Sequence, residues 1–381
     1  MNEIDLAYDT QINDKREMPA FKGVTFSKFK LTDVKKQLLE SLIAGKIEPS
    51  SYWTAELVCS GHFNELWEIL LGFYSKYIHL ANPKIAVYLD LRVDGFQTIL
   101  RQGYKENELQ LRNHSRIRFL FAEIICILCC AKRKHHYEGR KIKREAFDIS
   151  EIGDNLKAPN TSYLEKVFKE KDPKEVFVAM NELAFHLSKD SRNVPQACFW
   201  IEWILEFETL CKKNVPAKLT CERRAHIPVS SKDQMDIVWI IWEIIQETAL
   251  KADTSPFLQR TVESVLKLFC LRYTHGCAKK RKFLIYFAVS LLCENPVVAT
   301  EAAKEEIVRE EDKHKVSGTL KNMDMVYKQI KKNEESPGTE YLFADVKGIN
   351  LKKTMEKLQA IDSFDDTFVP RETDPWRMFH L

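Results

Sequence analysis

The chain has 381 residues, with 58 lysines and arginines against 55 aspartates and glutamates, so its formal net charge is only +3. This balance argues against a dedicated nucleic-acid binder, which usually carries a strong basic excess. The hydrophobic fraction of 45% argues against a wholly disordered chain, and the count of only 12 glycines favours helices over a fold with many tight turns.

The ten cysteines lie mostly within apolar runs, as in FLFAEIICILCC at 119–130. Buried free cysteine behaves as a small hydrophobic residue, whereas a secreted disulfide framework places its cysteines in the loops of a short chain. We therefore expect a reducing compartment. We expect no membrane span, because the longest apolar run is shorter than the ~20 residues that a bilayer requires. The first residues, MNEIDLAYDTQINDKRE, do not have the pattern of a signal peptide.

Residues 1–29 are predicted to form an extended N-terminal arm, because they are polar and carry only scattered apolar side chains. Phe21 and Phe26 are the candidates to anchor this arm on a partner, since polar segments with aromatic anchors often become ordered on binding. The alternative is that the arm folds back on its own body.

Residues 30–150 are predicted to form a first helical subdomain. Its first helix starts near Thr32 and stops at Gly45. The next clear helix has apolar residues at the spacing of one helical face: Phe63, Leu66, Trp67, Leu70, Leu71 and Tyr74. Asn82 followed by Pro83 predicts another helix start, and residues 108–133 are predicted to form a single core helix.

Residues 151–295 are predicted to form a second helical subdomain packed on the first. Asp172 followed by Pro173 has the order of a helix cap and a first helical residue, which predicts a helix that reaches about residue 187. Four more helices are predicted at 196–212, 232–252, 255–273 and 279–294.

Residues 296–335 are predicted to form a long polar helix, because acidic residues precede basic ones by four positions, the favoured order on an exposed helix. The segment has few apolar residues, so we expect it to project or to lie across a partner. Residues 336–381 are predicted to form a C-terminal arm. The candidate partner-binding residues of this arm are Phe364, Phe368, Trp376 and Phe379.

Two kinds of chemical site can be weighed. Cys126, Cys129 and Cys130 precede His135 and His136, which are residue types of a zinc site. Core packing explains these cysteines better, because their neighbours are isoleucine and leucine. The sequence has no phosphate-binding Walker loop, no dinucleotide-binding glycine motif, no Gly-x-Ser-x-Gly and no His-Glu-x-x-His. We therefore predict no enzyme, no catalytic residue, no metal and no cofactor.

Two basic runs are candidates for contact with phosphate or nucleic acid. One run is Lys279–Lys282. The other, earlier in the chain, consists of Lys132, Arg133, Lys134, Arg140, Lys141, Lys143 and Arg144. Cations at helix ends also complement the helix dipole, and no aromatic residues are interleaved as a stacking platform for single strands requires. A solvated or protein-binding face is the alternative.

Four segments carry a family resemblance: SSYWTAELVCSGHFNELWEILLGFYSKYIHLANPKIAVYL, LFAEIICILCCAKRK, NVPQACFWIEWILEFETLCKK with the CERR that follows, and DIVWIIWEIIQ. Across about 46–250 the chain resembles a conserved helical family of nucleocytoplasmic large DNA viruses, and the arms are not covered. The resemblance implies a minor capsid or virion-associated protein, assembled in the host cytoplasm, that links capsomers beneath an icosahedral shell. The implied partners are the major capsid protein and other minor capsid proteins, with self-association left open.

The sequence therefore predicts an all-α protein, a large bundle-like body with an arm at each end and a long polar helix. Its predicted function is that of a structural interaction protein. The alternative is a helical nucleic-acid-associated factor in viral replication or transcription.

Overall fold

A computed structural model of the chain describes residues 10–104, 107–139, 141–214, 219–251, 255–294, 304 and 306–335. Every regular element within these residues is helical, and apart from the helices there are two isolated β-bridges. The prediction of an all-α protein is confirmed. No helix in this part of the chain combines the length and the apolar character needed to cross a membrane.

The described residues contain fourteen α-helices, here numbered α1 to α14 in chain order: Leu31–Ile43, Ile47–Cys59, Phe63–Phe73, Lys84–Ile99, Glu108–Asn113, Ser115–Cys130, Ile149–Asn155, Phe177–Leu187, Val194–Asn214, Val238–Leu250, Pro256–Cys270, Cys277–Lys280, Lys282–Cys293 and Glu310–Lys331. The single helix predicted at 108–133 is divided into α5 and α6, because His114 between them has extended backbone angles. Its ψ of 114° interrupts the helical hydrogen bonds.

The helices form two compact units, each discontinuous in sequence. Of the described residues, unit 1 holds 10–66, 91–129 and 310–335, and unit 2 holds those between 67 and 90 and between 130 and 309. The two subdomains predicted from the sequence, 30–150 and 151–295, are instead consecutive in the chain. Breaks in composition mark loops, but they do not tell which helices share a core.

Helix α1 illustrates how the sequence sets the elements of unit 1. Val34, Leu38 and Leu42 follow one another at four-residue spacing and are all buried, and α1 packs on α2. Gly45 follows the helix with a φ of +68°, a left-handed conformation that glycine adopts without steric cost. The helix therefore stops at the glycine, as predicted.

Helix α14, the described part of the predicted polar helix, packs against α2 within unit 1. A narrow stripe makes this contact, formed by the buried side chains of Val316, Met323, Tyr327 and Ile330. The expectation of a projecting helix is thus corrected, because one narrow apolar stripe is enough when the facing helix supplies the rest of the surface. Residues 306–309 are not helical, and 295–303 and 305 lie outside the described residues.

The core of unit 2 is built on tryptophans. Trp239 and Trp242 of α10 lie against Phe269 of α11, with ring centroids 5.9 and 5.2 Å away. Trp200 and Trp203 of α9 lie 6.1 Å apart, and all four indole rings are buried. Helix α8 packs on α9 and α10, and α13 packs on α9, α10 and α11. The two Trp-containing helices are therefore core helices.

A buried arginine ties three segments of unit 2 together. Arg224 Nη1 and Nη2 lie 2.5 and 2.7 Å from the two carboxylate oxygens of Asp172, and Arg224 Nε donates to Glu243 Oε2 at 2.7 Å. Burial opposes the positive charge of Arg224, but the hydrogen bonds to Asp172 and Glu243 outweigh it and raise the pKa of the guanidinium. Asp172 is therefore an ion-pair partner and not the predicted helix cap, and α8 begins later, at Phe177.

We expect Arg224→Met to destabilise unit 2 by about 3–5 kcal/mol, because it leaves the buried Asp172 carboxylate without its cation. Urea unfolding of the full chain, followed through the transition of unit 2, measures the loss. The control is Lys166→Met, since Lys166 is 78% exposed and lies 3.5 Å from Glu247 of the same unit. This control should cost less than about 1 kcal/mol, and equal losses in the two variants would contradict a structural role for the Arg224 pair.

Candidate functional site

The predicted basic cluster lies on a segment of unit 2 whose described residues, 132–139 and 141–143, have no regular secondary structure, and a 3-10 turn begins at Arg144. Six of its cations are described, and all six are exposed: Lys132, Arg133, Lys134, Lys141, Lys143 and Arg144. Arg140, the seventh, lies outside the described residues. We call residues 132–144 the basic segment.

The basic segment concentrates the charge of the chain. It contains seven basic residues and one acidic residue, a net charge of +6, whereas the whole chain carries +3, so the remaining residues sum to −3. Lys134 Nζ lies 3.1 Å from Glu294 Oε1, and the Arg133 guanidinium lies 4.7 Å from the centroid of the Phe73 ring. A dense set of exposed cations on an otherwise acidic chain favours an anionic partner.

Unit 2 holds the backbone of the basic segment in place. The Lys134 N–H donates to the Tyr77 carbonyl at 3.0 Å, and the His136 ring packs on Phe283 at 4.7 Å between centroids. A Cβ at Gly139 would lie 2.7 Å from both Glu202 Oε1 and Tyr286 Oη, so the backbone passes close to α9 and α13. The described cations therefore project from a backbone that unit 2 holds in place.

The second basic run, Lys279–Lys282, is largely used within unit 2. Lys279 Nζ lies 2.6 Å from Glu206 Oε2, and Lys282 Nζ donates to Glu202 Oε1. Arg281 is buried, pairs with Glu68 and donates to the Phe269 carbonyl at 2.6 Å. Three of these four cations thus hold helices together, and the run is a poorer candidate for an anionic partner.

The predicted partner anchors divide into two groups. Phe21 and Phe26 are 1% and 0% exposed within unit 1, where the Arg16 guanidinium lies 5.0 and 4.8 Å from their ring centroids. Residues 10–29 thus fold back on unit 1, which corrects the expectation that these two rings face a partner. The sequence pattern fits both outcomes, because an aromatic residue in a polar arm anchors equally well on its own unit. Phe364, Phe368, Trp376 and Phe379 lie outside the described residues.

The N-terminal arm also forms hydrogen bonds with the residues that follow α14. Glu335 N–H donates to Asp14 Oδ2 at 2.9 Å, Lys15 N–H donates to the Glu335 carbonyl at 2.9 Å, and Arg16 Nη2 lies 2.6 Å from Asp14 Oδ2. Burial alone would raise the pKa of Asp14, but hydrogen bonds from Arg16 and Glu335 lower it overall. We call this arrangement of Asp14, Arg16 and Glu335 the clasp.

A groove of about 500 Å³ opens on unit 1 between α2 and α14. Arg118 and Ala122 of α6 also line it, and Met325, which is 62% exposed, lies among the α14 residues. Arg118 is itself buried, with its guanidinium 4.1 Å from the centroid of the Tyr327 ring. The groove exists because the contact stripe of α14 on α2 is narrow.

The cysteines considered as zinc ligands take part in packing. Cys126 and Cys129 are buried in α6, where Thr319 Oγ1 donates to Cys126 Sγ and Cys129 Sγ donates to Ser50 Oγ, each at 3.5 Å. In the part of the chain that the structure describes, no group of three or more histidine, cysteine, aspartate or glutamate side chains is arranged to hold a metal ion.

Unit 2 contains a Ser–His–Glu cluster that was not predicted from the sequence. His186 Nδ1 lies 2.8 Å from Ser191 Oγ, and His186 Nε2 lies 3.6 Å from Glu182 Oε2. The Glu182 oxygens also accept the backbone N–H groups of Lys157 and Ala158, and burial lowers the pKa of His186 to about 4, so the ring is neutral. Only the four-residue spacing of Glu182 and His186 signals this cluster in the sequence. The contact between His186 and Ser191 stabilises the turn after α8.

Comparison of the chain with protein-family models, curated proteins and solved structures found no match. The resemblance to a family of large DNA viruses therefore stays a prediction. Among the surfaces of the described residues, the basic segment has the highest density of charge of one sign.

We expect Arg16→Ala to release both partners of the clasp. The substitution removes the hydrogen bonds to Asp14 and the cation over Phe21 and Phe26, so chymotrypsin should cleave after these phenylalanines several times faster. Limited proteolysis of the full chain with mass spectrometry measures the rate. Lys22→Ala is the matched control, since Lys22 is an exposed cation of the same arm. Equal cleavage of Arg16→Ala and the wild type would show that the arm is held by other contacts.

Proposed function

We propose that the chain is a structural interaction protein, a minor capsid protein that links capsomers beneath an icosahedral shell. The resemblance over about 46–250 supports the capsid setting. The observation that supports the interaction role is the basic segment, with six described cations exposed on unit 2.

The physics of the basic segment suits the acidic face of another protein. One exposed ion pair contributes only about 0–1 kcal/mol, so a single lysine would not hold a partner. Several cations on one backbone can contact a partner together. Binding then costs less conformational entropy, because unit 2 already holds that backbone in place. Electrostatic attraction of this kind also speeds encounter and selects the partner by charge.

A nucleic-acid-associated factor is the second candidate. The same exposed cations could bind the phosphates of a nucleic acid, because binding to a phosphate backbone does not depend on the base sequence. Two features favour the protein partner. His136 and Tyr137 pack against Phe283 and Tyr286 of α13, at 4.7 and 6.3 Å, which engages the aromatic side chains that could stack on bases. The rest of the chain sums to a net charge of only −3, so it adds no net attraction for a long polyanion.

The capsid proposal predicts that the chain copurifies with virus particles at a fixed ratio to the major capsid protein, and that the ratio survives a high-salt wash. A variant with Lys132, Lys141, Lys143 and Arg144 changed to glutamine should be incorporated several-fold less, because the acidic partner loses its cations. Quantitative mass spectrometry of purified particles measures the ratio.

The control for this test carries the same loss of charge elsewhere on unit 2, with the exposed Lys157, Lys171, Lys174 and Lys232 changed to glutamine. It should be incorporated like the wild type. Absence of the chain from washed particles would reject the capsid role. Normal incorporation of the first variant would reject the basic segment as the contact.

The nucleic-acid candidate predicts a different outcome with the same two variants. The wild type should bind labelled DNA or RNA with an affinity that falls by about a hundredfold or more between about 50 and 200 mM salt, the dependence expected when several phosphates are neutralised. Fluorescence anisotropy measures this binding. Binding that is absent at the lower salt, or that both variants retain, would eliminate the candidate.

A further inference from the structure

The groove between α2 and α14 of unit 1 has the dimensions of a small-molecule site. Its volume of about 500 Å³ lies within the range of about 300–1,000 Å³ that is usual for pockets holding organic ligands. Much of its wall is apolar, and the apolar lining residues include Ala55, Ala122, Met323, Met325 and Val326. The groove therefore offers a surface that can cover the hydrocarbon part of a ligand.

The two charged side chains of the wall differ in their exposure to solvent. Among the described residues that line the groove, Arg118 carries the one positive charge and Glu48 the one negative charge. Arg118 is only 3% exposed, whereas Glu48 is an exposed residue in the first turn of α2. The buried charge of the wall is thus positive, and solvent screens the acidic side chain.

Arg118 has no carboxylate partner among the residues that the structure describes. It donates instead to neutral acceptors, namely the carbonyls of Arg112 and Thr10 at 3.1 and 3.0 Å and Asn113 Oδ1 at 2.8 Å. A guanidinium has five N–H groups and stays charged, so two N–H groups remain for an anionic ligand. The Tyr327 ring over the guanidinium offers it only a partial negative charge.

Other arginines of low exposure show what is unusual about Arg118. Four of them form an ion pair with an aspartate or a glutamate: Arg16, Arg92, Arg224 and Arg281. Arg112 makes hydrogen bonds to backbone carbonyls, as Arg118 does, but it does not line the groove. A buried cation without a counterion is costly, so an anion that enters the groove beside Arg118 gains a favourable interaction.

Two hydroxyl groups of α2 provide a second, independent sign of a ligand. Ser51 and Thr54 both line the groove, and Thr54 is only 2% exposed. Their oxygen atoms are buried, and neither has a hydrogen-bond partner among the described residues. The neighbouring Ser50 hydroxyl donates to the Lys46 carbonyl one turn earlier at 2.7 Å, the usual arrangement in a helix. Because a buried hydroxyl without a partner costs free energy, these two donors favour a ligand that brings an acceptor.

We propose that the groove binds an apolar molecule with a single carboxylate, such as a medium-chain fatty acid. Arg118 and the hydroxyls of Ser51 and Thr54 hold the carboxylate, and the apolar side chains of α14 cover the hydrocarbon chain. A neutral ligand would leave the charge of Arg118 without an anion, and a small anion would leave the apolar wall uncovered. The site lies on unit 1, and the proposal does not depend on the basic segment or on the capsid role.

The test is isothermal titration calorimetry of the full chain at pH 7.5, where a carboxylic acid is ionised. The probes are octanoate, octanol and acetate, each below the concentration at which it aggregates. One octanoate should bind per chain, about tenfold or more tightly than octanol, the gain expected from hydrogen bonds to a charged group. Acetate, which has the carboxylate without the chain, should give no measurable binding.

Two variants test the polar end of the site. Thr54→Val keeps the shape of the side chain but removes the hydroxyl, so it should weaken octanoate binding several-fold and leave octanol binding unchanged. Thr32→Val, at an exposed threonine of α1, is the matched control and should bind both probes like the wild type. Arg118→Met should abolish the preference for octanoate over octanol.

A third variant tests the location of the site and does not depend on the folding of Arg118→Met. Val326→Trp places a large ring in the groove and should abolish the binding of both probes, and circular dichroism confirms that the variant is folded. The proposal is rejected if octanoate does not bind or binds no more tightly than octanol. It is also rejected if Thr54→Val keeps the full preference for octanoate, or if folded Val326→Trp binds octanoate like the wild type.

Discussion

The bidentate pair of Arg224 and Asp172 is the constraint around which unit 2 is arranged. A guanidinium that is fully buried must keep its anionic partners, so the segment before α8, the loop before α10 and α10 itself have fixed relative positions. Helix α8 packs on α9, and Trp203 of α9 donates from its indole nitrogen to the Ala146 carbonyl at 2.9 Å. The chain that follows the basic segment is thus held to α9, whose position depends on the packing around the arginine.

The helices could be read from the sequence because each carries its own signal. Apolar residues at helical spacing marked α3, and Gly45 marked the end of α1, since a positive φ there suits glycine. The interleaving of the two units could not be read, because it depends on which distant faces are complementary. Asp172 is a second example. Its position before a proline predicts a helix cap, but its side chain pairs with Arg224, which is 52 residues away in the chain.

The two basic runs also differ in how far their environment could be predicted from the sequence. The described cations of the basic segment are exposed, because residues 132–144 contain few apolar side chains that could draw them into a core. The run at Lys279–Lys282 looks equally basic in sequence, but its acidic partners Glu206 and Glu68 come from distant parts of the chain.

The clasp has a consequence for the segments at the two ends of the chain. Asp14 and Glu335 are in direct contact, so the described residues begin, at residue 10, and end, at residue 335, within a few residues of the clasp. A partner that engages both ends meets them as a bivalent ligand, because binding of the first raises the effective concentration of the second. Two weak contacts from this point would combine into high avidity without any new interface on the helices.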